Sequence, residues 1–229
     1  MIKETLDFNT AYNDYYKEIH QFIQPEMQIL EVGGGAHPSV INRKGVQYSV
    51  IDPDQSELEK SPSDIIKINS KIEEMSTEQT FDIIVSKMVL EHIQEPNEFH
   101  TAIFNHLKPN GIAIHFFACK YSLPSIFNRI FPERLGSQIL KLLKNRTLEE
   151  SPKYKAYYAR TMGFSNSQRE YFKSFGFEIL KYNSYIGHKY FQNIPVLKQL
   201  ESVYGFFLKK LNLKVFSTVA LVTLKKECK

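Results

Sequence analysis

Apolar residues in the first half of the chain fall in short bursts separated by polar, Gly- and Pro-containing turns. Residues 10–24 carry Tyr12, Tyr15, Tyr16, Ile19 and Ile23 near helical spacing, which predicts an amphipathic helix stopped by Pro25. Gln28–Val32 is then a strand that closes on Gly33-Gly34-Gly35, with Pro38 suited to the first turn of a following helix. Tyr48–Ile51, ended by Asp52-Pro53, is a second strand, Asp64–Ile68 a third and Phe81–Val85 a fourth. Residues 96–107 read as helix, and Lys108-Pro109-Asn110-Gly111 turns the chain into a fifth strand, Ile112–Phe117. Short apolar strands alternating with helices imply a mostly parallel sheet with helices on both faces.

The second half is less regular. Residues 122–143 have apolar positions at helical spacing interleaved with Arg129, Arg134 and Lys141, and residues 165–175 again read as helix. Phe177–Ile186 and Val215–Leu224 are strand candidates, separated by a long stretch in which Val196–Leu211, starting near Pro195, forms an amphipathic helix. No repeat, low-complexity tract or Ser/Gly-rich linker divides the chain. We therefore expect one domain over 1–229, its cofactor half at 1–118 and its acceptor side at 119–229.

Composition narrows the class without naming a function. With 42% hydrophobic and 24% charged residues in 229, the chain can bury a core of its own. No apolar run is long enough to span a bilayer, and the N-terminus lacks the basic and then apolar layout of a secretory signal, so a cytoplasmic protein is expected. Cys119 and Cys228 have no metal-ligand spacing and read as plain thiols. The net charge of +4 is unevenly placed: residues 119–160 hold nine Lys/Arg against three Asp/Glu. Twelve of the 30 Tyr and Phe residues lie between Tyr154 and Phe191, so a partner other than a cofactor is expected on this half.

The chemistry concentrates at residues 29–38 and at Asp52. A turn leaving the first strand of a parallel sheet lies at the carboxyl edge, where ligands bind. Glycines there let a ligand approach the backbone, although three glycines also suit a tight turn with positive φ. Asp52, 19 residues after Gly33 and closing the next strand, is placed to accept from both hydroxyls of a ribose. The dinucleotide pattern G-x-G-x-x-G is incomplete, because Pro38 stands where its third glycine belongs. Glu31, entering the turn, is unwelcome beside a pyrophosphate but tolerable beside a cationic sulfonium and amino group.

These features together resemble the class I S-adenosylmethionine-dependent methyltransferases. Glu31-Val32-Gly33-Gly34-Gly35 looks like their first motif, Asp52 like the ribose-binding acid, and the loop from Ser70 through Ile72 to Met75 like the adenine-side loop. The stretch from Phe81 through Ser86 to His92 resembles their fourth strand and the segment after it, and Leu107-Lys108-Pro109-Asn110-Gly111 the turn before the fifth. His37 and Lys71 depart from the family pattern. The resemblance implies an α/β, Rossmann-like sheet of seven strands with the last antiparallel, insertions after strands five and six, and S-adenosylmethionine bound by Glu31, Gly33, Gly34, Gly35, Asp52, Ser70, Ile72 and Ser86.

Methyl transfer is largely a matter of alignment, and a base is needed only where the acceptor loses a proton. His92, just beyond the fourth strand, is the candidate base, though the position also suits a cap; His115 and His188 are weaker choices. Some quinone-precursor O-methyltransferases of this class hold a metal with E-x-x-E-H; here Met88 takes the place of the first Glu, and no metal is expected. The expected acceptor is a small molecule, glycan or lipid-like compound methylated at oxygen. The basic stretch 120–160 either meets an anionic membrane or is a solvated face. Nucleic acid finds no strong signal. A nucleoside-binding module without catalysis, a nicotinamide-dependent oxidoreductase and an RNA methyltransferase are the alternatives.

Overall fold

The computed structural model describes residues 5–40, 44–75, 78–130, 154–187 and 195–227. Its centre is one mixed sheet of eight strands: β1 (Thr5–Asp7), β2 (Gln28–Val32), β3 (Gln47–Ile51), β4 (Ile66–Ile68), β5 (Phe81–Lys87), β6 (Leu107–Ala118), β7 (Phe177–Ile186) and β8 (Val219–Lys226), in the order β1-β7-β8-β6-β5-β2-β3-β4. All neighbours pair in parallel except β8, which runs antiparallel to both β6 and β7. The expected seven strands and antiparallel last strand are present. The eighth is β1, a three-residue edge strand parallel to β7, too short to stand out in the hydrophobic pattern.

Strand pleating divides the core. Alternate residues of β2 face opposite sides, so Ile29 joins Tyr15, Ile19, Val50 and Phe116 on one face while Leu30 joins Phe99, Ile103, Phe117 and Phe172 on the other. The first face is covered by α1 (Phe8–Phe22), capped by Asp7, whose buried residues Ala11, Tyr15, Glu18 and Ile19 form one helical stripe. Glu18 fastens that helix to the sheet: it accepts from Thr223 Oγ1 at 2.6 Å and pairs with Lys181. The second face is covered by α3 (Pro96–His106) and α5 (Asn166–Lys173). Short α2 (Gln55–Glu59) follows β3, α4 (Leu123–Ile130) follows β6, and α6 (Pro195–Lys210) joins β7 to β8.

Three expectations are corrected by the structure. No helix starts at Pro38: residues 33–40 are turn and coil, because Ser39 is drawn back to Glu31 and α1 already fills that face. The strand expected at 64–68 is reduced to Ile66–Ile68 at the sheet edge. Val215 and Phe216 lie in a 3-10 turn, with β8 starting only at Val219. Residues 131–143 of the helix expected after the fifth predicted strand, and also His188 and Cys228, lie outside the described residues.

Candidate functional site

The parallel strands bring the glycine turn, Asp52 and the end of β5 to one carboxyl edge. Gly33 (φ 70°) donates its N–H to Ile51 at 2.8 Å, which closes the turn onto the neighbouring strand. A Cβ on Gly33 would collide with Val89 Cγ2, so the segment after β5 sits directly against it. Met88, between them, holds φ 58° and donates its N–H to Phe116 at 2.7 Å; a non-glycine residue in that region is strained backbone at the edge where ligands bind.

Glu31 is turned away from solvent. Its carboxylate is fully buried on the α1 side and accepts the Ser39 N–H and hydroxyl, each at 2.6 Å, and the Tyr48 hydroxyl. Tyr15 extends the network by donating to Ser39 Oγ at 3.1 Å. Burial raises the Glu31 pKa, and these hydrogen bonds and the Lys87 charge oppose the rise. Glu31 thus sets the course of the loop after the glycines. Glu57 of α2 also stands at the turn: a Cβ on Gly35 would lie 2.9 Å from Glu57 Cβ and 3.3 Å from Asp52 Oδ2, and one on Gly34 would lie 2.9 Å from Glu31 Cδ.

Asp52 sits at the end of β3, 9% exposed, accepting the Asp54 N–H at 2.9 Å. Its pKa is raised, first by burial and then by Asp54 and Glu57, while backbone N–H groups of Asp54 and Gly35 oppose the rise. Three acids converging on a glycine turn favour hydrogen-bond donors and cations and repel a pyrophosphate. Ribose hydroxyls and a sulfonium-bearing cofactor fit that field. Asn69, at the end of β4, donates to the carbonyls of Asp52 and Pro53 at 3.1 Å each and so ties the two strand ends.

The remaining residues expected at the cofactor are less open than their sequence positions suggest. Ser70, half-buried, donates its hydroxyl to the Lys71 carbonyl at 3.1 Å. Ile72 is 1% exposed and turned into the core below α3. Ser86 is fully buried, its hydroxyl 2.8 Å from His115 Nδ1, and His115 is a core residue beside His100. The side chains of Ile72 and Ser86 are thus both buried. Lys87, which sequence reasoning passed over, reaches the Tyr16 hydroxyl at 3.3 Å and the His37 carbonyl at 3.2 Å, and brings a cation to the glycine loop.

Residues 154–158 cross this edge as an irregular strap, with Tyr158 at φ 51°. Tyr154 donates its hydroxyl to Asp54 Oδ2 at 2.7 Å, and the N–H groups of Tyr157 and Tyr158 reach the Glu91 carbonyl at 2.7 and 3.0 Å. Between them the Lys155 carbonyl lies 2.9 Å from His92 Nδ1, and the Tyr154 ring meets the His92 ring edge-on at 6.1 Å. A carbonyl only accepts, so Nδ1 carries the hydrogen and neutral His92 presents a bare Nε2. Beneath it, Glu91 is fully buried and its carboxyl is pushed up to about 8 by burial; Oε2 has no hydrogen-bond partner among the described residues. Nothing in local spacing signals that Tyr154 and Lys155 meet residues about a hundred and about sixty positions earlier.

A groove of about 450 Å³ lined by Phe22, Met27, Asp82, Pro109 and Leu180 lies at the opposite edge of the sheet, away from these residues. No described helix is long and apolar enough to cross a membrane.

A family model described as a methyltransferase domain matches residues 7–182. A curated relative, the ubiquinone biosynthesis O-methyltransferase of Rickettsia canadensis, is 33% identical over 98 residues; the match covers 39% of this chain and 42% of that protein, so this chain spans less than half the length of its relative. Among solved structures, an S-adenosylmethionine-dependent methyltransferase from Methanosarcina mazei aligns with a TM-score of 0.56 at 15% identity, covering 93% of this chain and 98% of that one. The phosphoethanolamine N-methyltransferase 2 of Haemonchus contortus, in complex with S-adenosylmethionine, aligns at 0.55 and 13% identity over 94% of this chain and 53% of that one. At such identities the shared property is the fold. The glycine turn and Asp52 lie within the residues matched by the family model, and the chain belongs to the methyltransferase family, built on the fold of the S-adenosylmethionine-dependent class I enzymes.

Proposed function

We infer that this methyltransferase transfers the methyl group of S-adenosylmethionine to a hydroxyl oxygen of a small, largely apolar acceptor, with His92 receiving the acceptor proton. The observation that carries this reading is the hydrogen bond from His92 Nδ1 to the Lys155 carbonyl, which leaves Nε2 as an acceptor at the carboxyl edge of the sheet. The 33% identical relative, named for O-methylation in ubiquinone biosynthesis, supports oxygen as the methylated atom. Met88 replaces the first acid of the E-x-x-E-H arrangement, and a protein base in its stead is in keeping with that change.

The cofactor, when bound, supplies an electrophilic methyl on a cationic sulfonium. The chain's own residues then have separate tasks. Asp52 accepts from the ribose hydroxyls, the peptides of Gly33, Gly34 and Gly35 let the cofactor approach the backbone, and the peptides around Ser70 and Ile72 border the base. Lys87 offers a cation to the carboxylate of the methionine part. Asp52, Asp54 and Glu57 disfavour a dinucleotide at the same turn. The strap from Tyr154 to Tyr158 lies over the edge and keeps water from the reacting oxygen.

Calorimetric titration with S-adenosylhomocysteine, with NADH as comparison and Asp52→Ala as control, tests the cofactor. Binding of the homocysteine compound alone, weakened about a hundredfold in the variant, is expected from the loss of hydrogen bonds to a carboxylate. Turnover is then tested on a panel of phenols and catechols by release of S-adenosylhomocysteine. Binding of NADH in place of the homocysteine compound would overturn the assignment.

A further inference from the structure

Helix α6 is amphipathic in a way its own fold does not use. Its inner side packs through Tyr204, Gly205 and Leu208; Leu208 is 4% exposed, and a Cβ on Gly205 would lie 3.6 Å from Ile186 Cγ2. Its outer side presents Val196, Leu200, Val203, Phe206 and Phe207, and Leu211 follows just past its end, each between 49% and 68% exposed. The 196, 200, 203, 207 spacing places these residues on one helical stripe. Apolar side chains at this density on one exposed stripe mark an interaction surface.

The charges around the stripe are mostly of one sign. Lys198, Lys209 and Lys210 are the cations of the helix, against Glu201 on the helix and Asp7, which pairs with Lys209. Lys210 Nζ stands 5.9 Å from the Phe206 ring centroid, so its stem runs along the apolar surface while the ammonium stays at the rim. Two copies packed through this face would bring their lysines together in a low-dielectric seam, whereas anionic headgroups would neutralise them. A 16-residue helix is about 24 Å long and lies flat in an interface instead of spanning it.

Placement links the stripe to the site. The chain enters α6 from the carboxyl end of β7 and leaves it through Phe216, whose ring is 6.4 Å from that of Tyr121, just beyond β6. Lys209 also pairs with Asp7 at the same edge, at 3.2 Å. We propose that the outer face of α6 docks this protein on an anionic phospholipid surface, with the edge that carries Asp52 and His92 held close to the lipid. The surface is built from α6 and does not depend on His92 acting as a base.

The full chain is sedimented with vesicles of phosphatidylcholine alone and of phosphatidylcholine with phosphatidylglycerol. Binding to the anionic vesicles that weakens as salt is raised is the expected result. The pairs Val203→Ser with Phe207→Ser, and Lys198→Glu with Lys210→Glu, should each lower that binding at least about tenfold while leaving the circular dichroism and homocysteine-compound binding unchanged. Absence of pelleting with either vesicle, equal pelleting with both, or a dimer in sedimentation velocity that Val203→Ser with Phe207→Ser converts to monomer would each overturn the proposal.

Discussion

His92 gives its Nδ1 hydrogen to the carbonyl of Lys155 at 2.9 Å, so a residue beside the central strand takes its tautomer from a strap 63 positions later in the chain. That bond leaves Nε2 of the neutral ring without a hydrogen, so a proton taken there converts the ring to the imidazolium. Replacing His92 with Asn should lower turnover about a hundredfold, the size of a lost general base, while S-adenosylhomocysteine affinity stays at the wild-type value. Steady-state rates and calorimetry on the same preparations separate the two effects; an unchanged rate would remove the base from the mechanism.

Tyr154 holds the other end of the strap at Asp54 Oδ2, 2.7 Å away. The pairing helps draw the Asp54 carboxyl down to about 2, with Ser56 as the larger cause and Tyr154 next. Tyr154→Phe keeps the ring against His92 and deletes only the hydroxyl. The expected outcome is a KM for S-adenosylmethionine raised a few-fold with kcat little changed, because the strap is loosened above the cofactor while the His92 contact to Lys155 remains.

Glu31 is the acceptor at the centre of a buried network. Glu31→Ala would leave the Ser39 N–H, the Ser39 hydroxyl and the Tyr48 hydroxyl buried without their acceptor. Buried donors left unmade cost about 1–3 kcal/mol each, and partial rearrangement brings the expected loss to about 3–5 kcal/mol in urea unfolding. Glu31→Gln retains one carbonyl acceptor and should fall between the wild type and Glu31→Ala. A loss of cofactor affinity with unchanged stability would contradict the inward role of this carboxylate.

Glu91 makes stability depend on pH in a definite direction. Its carboxyl ionises near 4.5 in the unfolded chain but only near about 8 in the fold, where burial disfavours the charge. Between these values the unfolded state holds fewer protons than the native state, so stability is lost as pH rises through this window. His100, pushed down to about 4 by burial, acts oppositely: its contribution is lost as pH falls from 6.5 toward about 4. Glu91→Gln removes only the first effect. Relative to wild type it should gain stability on the order of a few kcal/mol between about pH 5 and about pH 8, read by chemical denaturation at several pH values.

The strands, the glycine turn and Asp52 were legible in the chain because each rests on a local rule: short buried strands read as apolar runs, and a ribose-reading acid follows its glycines by about one strand–turn–strand unit. The direction of Glu31 was half legible. Pleating puts it on the same face as Ile29, but in a strand buried on both sides that parity does not say whether the carboxylate meets a ligand or the core. The edge strand β1 left no signal, because three residues carry too little pattern.

Contacts between distant segments account for the rest. The absence of a helix at Pro38 comes from Ser39 bonding to Glu31 under Tyr15, a side chain from an earlier helix. The inward turn of Ser86 comes from its register with His115 in the next strand. The meeting of Lys155 with His92 and of Tyr154 with Asp54 depends on how the segment after β6 returns across the sheet edge. Residue order and periodicity set the elements and the cofactor edge, since those depend on neighbours a few positions away. Which acids stand at the turn, which nitrogen of His92 is bare and which face of α6 stays exposed were decided only by packing among segments tens of residues apart.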